Sequence, residues 1–185
     1  MKIDATLNHS AAHVLAASLQ KIYPDLKLTI GPAIEEGFYY DFATKAPISI
    51  NDLPKIEKQM KKIIAAGHEF TKKVVSRQEA LDFYKDNKFK TEIINEIPEN
   101  EDITFYTCGD FTDLCSGPHT ERTSKIKAFK LLNLAGSYWR GDSNKDQLYR
   151  IYGIAFDNEN DLKEYLEILE DRKQRDHRKI GKDLN

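Results

Sequence analysis

The chain has 185 residues, 40% of them hydrophobic and 31% charged, with a formal net charge of −2. That length supports one substantial core, or one domain with an appendage, and the composition is that of an ordinary soluble protein. The slight acidity argues against unaided gripping of a nucleic-acid duplex, which rests on neutralising many phosphates. No charged-then-apolar leader or long uncharged apolar run argues for secretion or membrane insertion, so a cytoplasmic location is expected.

In chain order, Asn8 reads as an N-cap. Residues 9–23 then place Ala12, Leu15, Ala16 and Leu19 at helical spacing before Pro24, which predicts a small-residue helix at the centre of the fold. His9 and His13, four apart, project from one face of its first turns. Residues 26–30 and 38–42 read as strands separated by the Gly31-Pro32 turn, with Glu35, Glu36 and Gly37 turning into the second. Residues 51–66 repeat apolar positions at Ile56, Met60, Ile63 and Ile64 and stop at Gly67, the pattern of an amphipathic surface helix. Residues 70–75 form a predicted strand, and Ser76 with Glu79 makes a capping box opening a short helix to about Tyr84. Further strands are predicted at 89–94, 103–107, 128–139 and 147–156. From 158 to about 179, Leu162, Leu166 and Leu169 share a face and the rest becomes almost wholly charged, like a connecting helix whose far end expects a neighbour. The order of elements is α+β rather than regular βαβ.

The residues with chemistry lie at the two ends of this pattern. His9 and His13 form H-x-x-x-H; Cys115 and His119 form C-x-x-x-H across the turn Ser116-Gly117-Pro118, with Asp113 two residues earlier on the same side of an extended stretch. A zinc protease is excluded, because Ser10 stands where that motif needs Glu. The two cysteines, Cys108 and Cys115, read as reduced. Brought together, three histidines and a cysteine suit tetrahedral zinc, a metal-free pocket that activates water, or a cysteine nucleophile paired with histidine, and the residues alone leave all three open. The lysine clusters read as solvated faces, and no glycine-rich phosphate loop or ATP site is present.

Four stretches resemble the editing domain of bacterial-type threonyl-tRNA synthetases: Asn8-His9-Ser10-Ala11-Ala12-His13, residues 31–41 (GPAIEEGFYYD), Asp113-Leu114-Cys115-Ser116-Gly117-Pro118-His119, and residues 135–143 (AGSYWRGDS). Residues 175–181 are similar to the linker into the catalytic core of that family. The resemblance implies an antiparallel sheet wrapped around the central N-terminal helix. It also implies an editing domain at 1–157 and a linker helix at 158–185 leading toward an aminoacylation core, with neither that core nor the small ubiquitin-like domain of many members expected within these 185 residues. The implied activity is hydrolysis of serine wrongly esterified to threonine tRNA. The implied site is His9, His13, Lys90, Asp113, Cys115 and His119 for catalysis, with Tyr40 at the substrate. The tRNA acceptor end and the rest of the synthetase are the implied partners. Related alanyl editing domains hold zinc with the same set of side chains. In the threonyl branch the resemblance implies turnover on ordered water with no required cofactor, zinc binding being allowed at His9, His13, Cys115 and His119. A freestanding alanyl-type deacylase, and a non-catalytic module binding zinc or the acceptor end, are the alternative readings.

Overall fold

The computed structural model describes residues 1–184; residue 185, the last of the expected linker, lies outside the described residues. Helix α1 (Ala5–Ile22) starts earlier than the sequence pattern indicates, because Asp4, not Asn8, caps it by accepting from Leu7 N at 3.0 Å. The helix is buried on nearly every side from Leu7 to Leu19, as its run of Ala, Val and Leu requires of a helix without a polar face. Asn8 is fully buried instead of capping. Its Nδ2 donates to Ala155 O at 3.1 Å and its Oδ1 accepts from Ala155 N at 2.9 Å. The amide thus ties α1 to the sheet, satisfying strand groups that would otherwise be orphaned in the core.

After α1 come β1 (Lys27–Leu28), β2 (Ala33–Ile34) and β3 (Gly37–Ala43). Helix α2 (Leu53–Ala66) ends on Gly67 in the left-handed conformation, the expected glycine stop. Strand β4 (Thr71–Val75) leads into α3 (Arg77–Phe83), capped by Ser76, whose hydroxyl accepts from Glu79 N at 3.1 Å. Next come α4 (Lys88–Glu96), β5 (Ile103–Cys108), β6 (Phe111–Leu114), β7 (Ala128–Tyr138), β8 (Gln147–Phe156) and α5 (Glu159–Asp183).

Two expectations are corrected. Residues 89–94 are helical, not a strand: Asn87 Oδ1 accepts from Phe89 N and Lys90 N, and this cap outweighs the β-branched Thr91, Ile93 and Ile94. The second is the cap of α1, Asp4 rather than Asn8. The extended stretch before Cys115 is strand β6, antiparallel to β5 with Tyr106 opposite Asp113.

The main sheet is antiparallel in the order β1-β3-β8-β7, with β2 added on β3, and a second antiparallel sheet runs β4-β5-β6. Phe38, Tyr40 and Phe42 turn toward α1 in the principal core, which α2 closes through Leu53, Ile56 and Met60. Burial of this apolar surface is what holds helix and sheets together. The second sheet packs on α3 and α4 through Val75, Ala80, Tyr84, Ile94, Ile103 and Phe105. The first turns of α5 bury Leu162 and Tyr165 against Ala128, Ile154 and Phe156, and from residue 170 onward the helix is exposed.

Candidate functional site

Both ends of the sequence pattern meet over one cavity of about 440 Å³ between α1, β3, α4 and the segment following β6. All seven residues singled out from sequence line it: His9 and His13 from α1, Tyr40 from β3, Lys90 from α4, Asp113 from β6, and Cys115 and His119 from the loop. Residue 115 is clamped to β5: its N–H donates to Thr104 O at 3.1 Å, and Thr104 Oγ1 donates to its carbonyl.

On one side of the cavity Cys115 Sγ stands 3.3 Å from His9 Nε2 and 3.2 Å from His119 Nε2, and accepts from Gly117 N at 3.2 Å. The His9 and His119 rings stack at 4.4 Å, with Phe70 stacked on His119 and the Tyr106 ring meeting it edge-on. His9 Nδ1 lies 3.1 Å from Pro118 O. A carbonyl only accepts, so His9 carries its proton on Nδ1 and presents a bare Nε2 to the sulfur. His9, Cys115 and His119 are the group among the described residues whose ligand atoms approach closely enough for a metal, all within 4.8 Å of one another. The sulfur–nitrogen distances resemble the ligand spacings around tetrahedral zinc, about 3.5 Å for bonds of about 2.3 Å to sulfur and about 2.0 Å to nitrogen. His13 lies outside this close group: it packs edge-on against His119, Phe70 and Phe111, and its buried Nε2 has no hydrogen-bond partner.

On the other side lies a buried ion pair. Lys90 Nζ is 2.8 Å from Asp113 Oδ1, and both side chains are almost wholly excluded from water. Tyr40 donates to Asp113 Oδ2 at 2.7 Å, Tyr84 to Oδ1 at 3.1 Å, and Leu114 N donates both to Oδ1 at 3.0 Å and to Tyr84 Oη at 2.8 Å. Lys90 Nζ also donates to Tyr40 Oη at 3.2 Å, leaving one ammonium hydrogen uncommitted. Gly31 is what lets Tyr40 sit there, since a Cβ at that position would come 2.0 Å from its ring.

The electrostatics divide accordingly. Burial lowers His9 and His119 below the ordinary imidazole range, and brings His13 down to about 4. Burial raises the Cys115 thiol to about 11, so at neutral pH it is a thiol and a poor nucleophile. Burial also pushes the Asp113 carboxyl up, but the Lys90 charge, His13 and the hydrogen bonds from Lys90 and Tyr40 more than offset it, and the carboxyl ends below its usual value. The cavity therefore holds neutral imidazoles facing a fixed ammonium–carboxylate pair.

Sequence reading missed Tyr84 as a site residue, noting it only as the end of a helix; a lone tyrosine there carries no signal. Ser10 was noted only for excluding a zinc protease, yet its hydroxyl stands 3.1 Å from His119 Nδ1. Phe38 is core, Tyr39 faces the opposite side under the Arg150 guanidinium at 3.9 Å, and Trp139 packs with Phe89 and Leu148. Asp142 Oδ1 accepts from Asn144 N in a local turn, whereas Arg140 reaches away to Glu92 and Glu96 on α4. Cys108 and Cys115 are both free.

Residues 103–152, which include Asp113, Cys115 and His119, match the family described as the threonyl and alanyl tRNA synthetase second additional domain. The chain is 55% identical over 97% of its length to threonine–tRNA ligase of Staphylococcus carnosus (strain TM300) and covers 28% of that protein. It is 54% identical over its whole length to threonine–tRNA ligase of Ureaplasma parvum serovar 3, covering 32%. With the ligase of Wolbachia pipientis subsp. Culex pipiens it shares 48% identity over 97% of its length, covering 29%. The chain thus spans about 28 to 32% of the length of the curated relatives it matches. Over nearly its whole length the chain is thus similar to a segment of threonine–tRNA ligases, and within that length residues 103–152 are similar to the threonyl and alanyl tRNA synthetase second additional domain.

Proposed function

We propose that the chain hydrolyses the ester of serine wrongly attached to threonine tRNA, with residues 1–157 as the editing domain and 158–185 as the linker toward an aminoacylation core. The observation that carries this reading is the meeting of His9, His13, Lys90, Asp113, Cys115 and His119 on one cavity in a chain whose relatives are threonine–tRNA ligases. Such an activity answers a physical limit. Serine is threonine less one methyl, a difference worth only ~1 to 3 kcal/mol to a pocket that must admit the larger residue. A second, smaller site that hydrolyses serine and refuses threonine restores accuracy.

In this reading Tyr40 and Asp113 face the seryl group, and the acceptor position left on Asp113 Oδ2 takes the seryl amine. The uncommitted ammonium hydrogen of Lys90 meets the ester carbonyl, where negative charge develops as water adds; donors placed there are usually the largest single term in acyl transfer. His9 Nε2, a bare lone pair, takes the proton of the attacking water. The carbon–oxygen bond to the ribose then breaks, the proton passes to the ribose oxygen, and serine leaves. Cys115 shapes the pocket as a thiol and forms no acyl bond. His13 and His119 form the wall behind His9. Turnover in this scheme runs on water. If zinc binds, His9, Cys115 and His119 would hold it, and it would polarise a carbonyl and acidify a bound water. The tRNA acceptor end and the remainder of the synthetase are the proposed partners, and the cytoplasm is the proposed location. No helix among the described residues is long and apolar enough to cross a membrane.

The test is to incubate the chain with seryl- and threonyl-tRNA and follow release of each amino acid, before and after dialysis against a chelator. Serine release with threonine retained, unchanged by the chelator and lost in His9→Ala folded by circular dichroism, is expected. No release of serine by folded wild-type protein overturns the proposal. Loss on chelation with recovery on added zinc overturns its metal-free form.

A further inference from the structure

We propose that Ser10 is a positioning residue that holds His119 in its Nδ1–H form, so that His119, like His9, presents a bare Nε2 to Cys115 at the wall of the cavity. Ser10 is fully buried on α1, and its hydroxyl has three partners: Thr6 O at 3.0 Å, Thr120 N at 2.9 Å and His119 Nδ1 at 3.1 Å. A hydroxyl offers one hydrogen and two lone pairs. Thr120 N–H can only donate and occupies one lone pair. Thr6 O can only accept and takes the hydrogen, the usual bond of a helical serine to the carbonyl four residues back. The remaining lone pair faces His119, whose Nδ1 must then donate.

The opposite arrangement has a worse partner at the far side of the ring. If the hydroxyl turned to donate to His119 Nδ1, the ring would carry its hydrogen on Nε2, directed at Cys115 Sγ. Sulfur is a weak acceptor, and this one already accepts from Gly117 N. The Nδ1–H form instead lets the Cys115 thiol donate to one imidazole while the other keeps a free acceptor. Pro118 O and Ser10 Oγ therefore act alike on the two rings, one from the loop and one from α1. A backing group that sets the tautomer of a functional histidine is a recurring device.

Two measurements test this, and only the second rests on the proposed hydrolysis. Long-range proton–nitrogen correlation spectra of 15N-labelled, metal-free protein near neutral pH report which ring nitrogen carries hydrogen. His119 is expected in the Nδ1–H form; an Nε2–H pattern in the wild type overturns the proposal. Ser10→Ala is expected to move His119 toward Nε2–H or a mixture and to lower kcat for seryl-tRNA on the order of tenfold, with KM little changed.

Ser18→Ala is the control for a purely helical role. Ser18 is as buried on the same helix and makes only the bond to Val14 O, at 2.9 Å. It is expected to leave both tautomer and turnover unchanged. An equal effect from Ser10→Ala and Ser18→Ala would reduce Ser10 to a structural serine. Should Ser10→Ala fail to fold, the wild-type spectrum still decides the tautomer. A correct tautomer response with no hydrolysis in any variant sinks the proposed function and leaves this inference standing.

Discussion

Lys90 Nζ lies 2.8 Å from Asp113 Oδ1 in a setting where both side chains are nearly inaccessible to water, joining α4 to β6 beneath the cavity. Two charges taken out of water cost several kcal/mol each, and geometry this close, with Tyr40 and Tyr84 donating to the same carboxylate, offsets that cost. Removing one partner strands the other. Lys90→Met is therefore expected to destabilise the chain by about 3 to 5 kcal/mol in urea unfolding, and the pairing of Lys90→Met with Asp113→Leu to cost less than the sum of the two single changes. Additive losses would mean the pair is not coupled.

Tyr84 shares that carboxylate. Its hydroxyl donates to Asp113 Oδ1 and accepts from Leu114 N, so Tyr84→Phe removes two bonds from a buried network and leaves the Leu114 amide only its bond to Asp113 Oδ1. A loss of about 1 to 3 kcal/mol in unfolding free energy is expected, together with slower release of serine at unchanged threonine discrimination. Full activity and wild-type stability would remove Tyr84 from the site.

Gly31 carries a steric prediction. Its φ is not in the left-handed region, so the objection to a side chain is space alone: a Cβ would approach the Tyr40 ring to 2.0 Å. Gly31→Ala is expected to displace Tyr40, weaken its bond to Asp113 and cost about 1 to 3 kcal/mol, with hydrolysis falling more than stability explains. An alanine variant whose crystal structure keeps Tyr40 in place with activity intact would contradict the argument.

How far the sequence foretold this site depends on where each residue gets its position. His9 and His13 were legible because helical spacing alone puts them on one face, and Cys115 and His119 because a Gly-Pro turn folds the loop back. That the pairs meet was not local information. It depends on Asn8 tying α1 to β8 through Ala155, a contact between residues 147 apart that looks in sequence like an N-cap. Lys90 was assigned by resemblance while its segment was read as a strand, because Phe89, Ile93 and Ile94 fit either period and the cap at Asn87 was overlooked. The three-stranded sheet was only partly visible, since β6 has four residues and carries Asp113 in its middle. The separation of His13 from the close group of His9, Cys115 and His119 is set by packing against Phe70 and Phe111, which no spacing rule encodes.

That packing gives His13 a measurable pH signature. Burial holds its imidazole neutral down to about 4, whereas in the unfolded chain it takes a proton near 6.5. Above pH 6.5 neither state is protonated and His13 makes stability insensitive to pH. As pH falls below 6.5 the unfolded chain binds a proton that the fold refuses, so stability is lost progressively until the folded value is reached. The loss attributable to this one group is up to about 3 kcal/mol between pH 6.5 and 4, and the lowered His9 and His119 act in the same direction. Urea midpoints taken from pH 7.5 to 4.5 should therefore fall with acidity. His13→Leu should fall less steeply, because its Nε2 has no hydrogen bond to lose and the substitution removes only the titrating ring. Parallel pH dependences for the two proteins would show that His13 is protonated as readily in the fold as out of it, and that its burial between Phe70 and Phe111 imposes no such penalty.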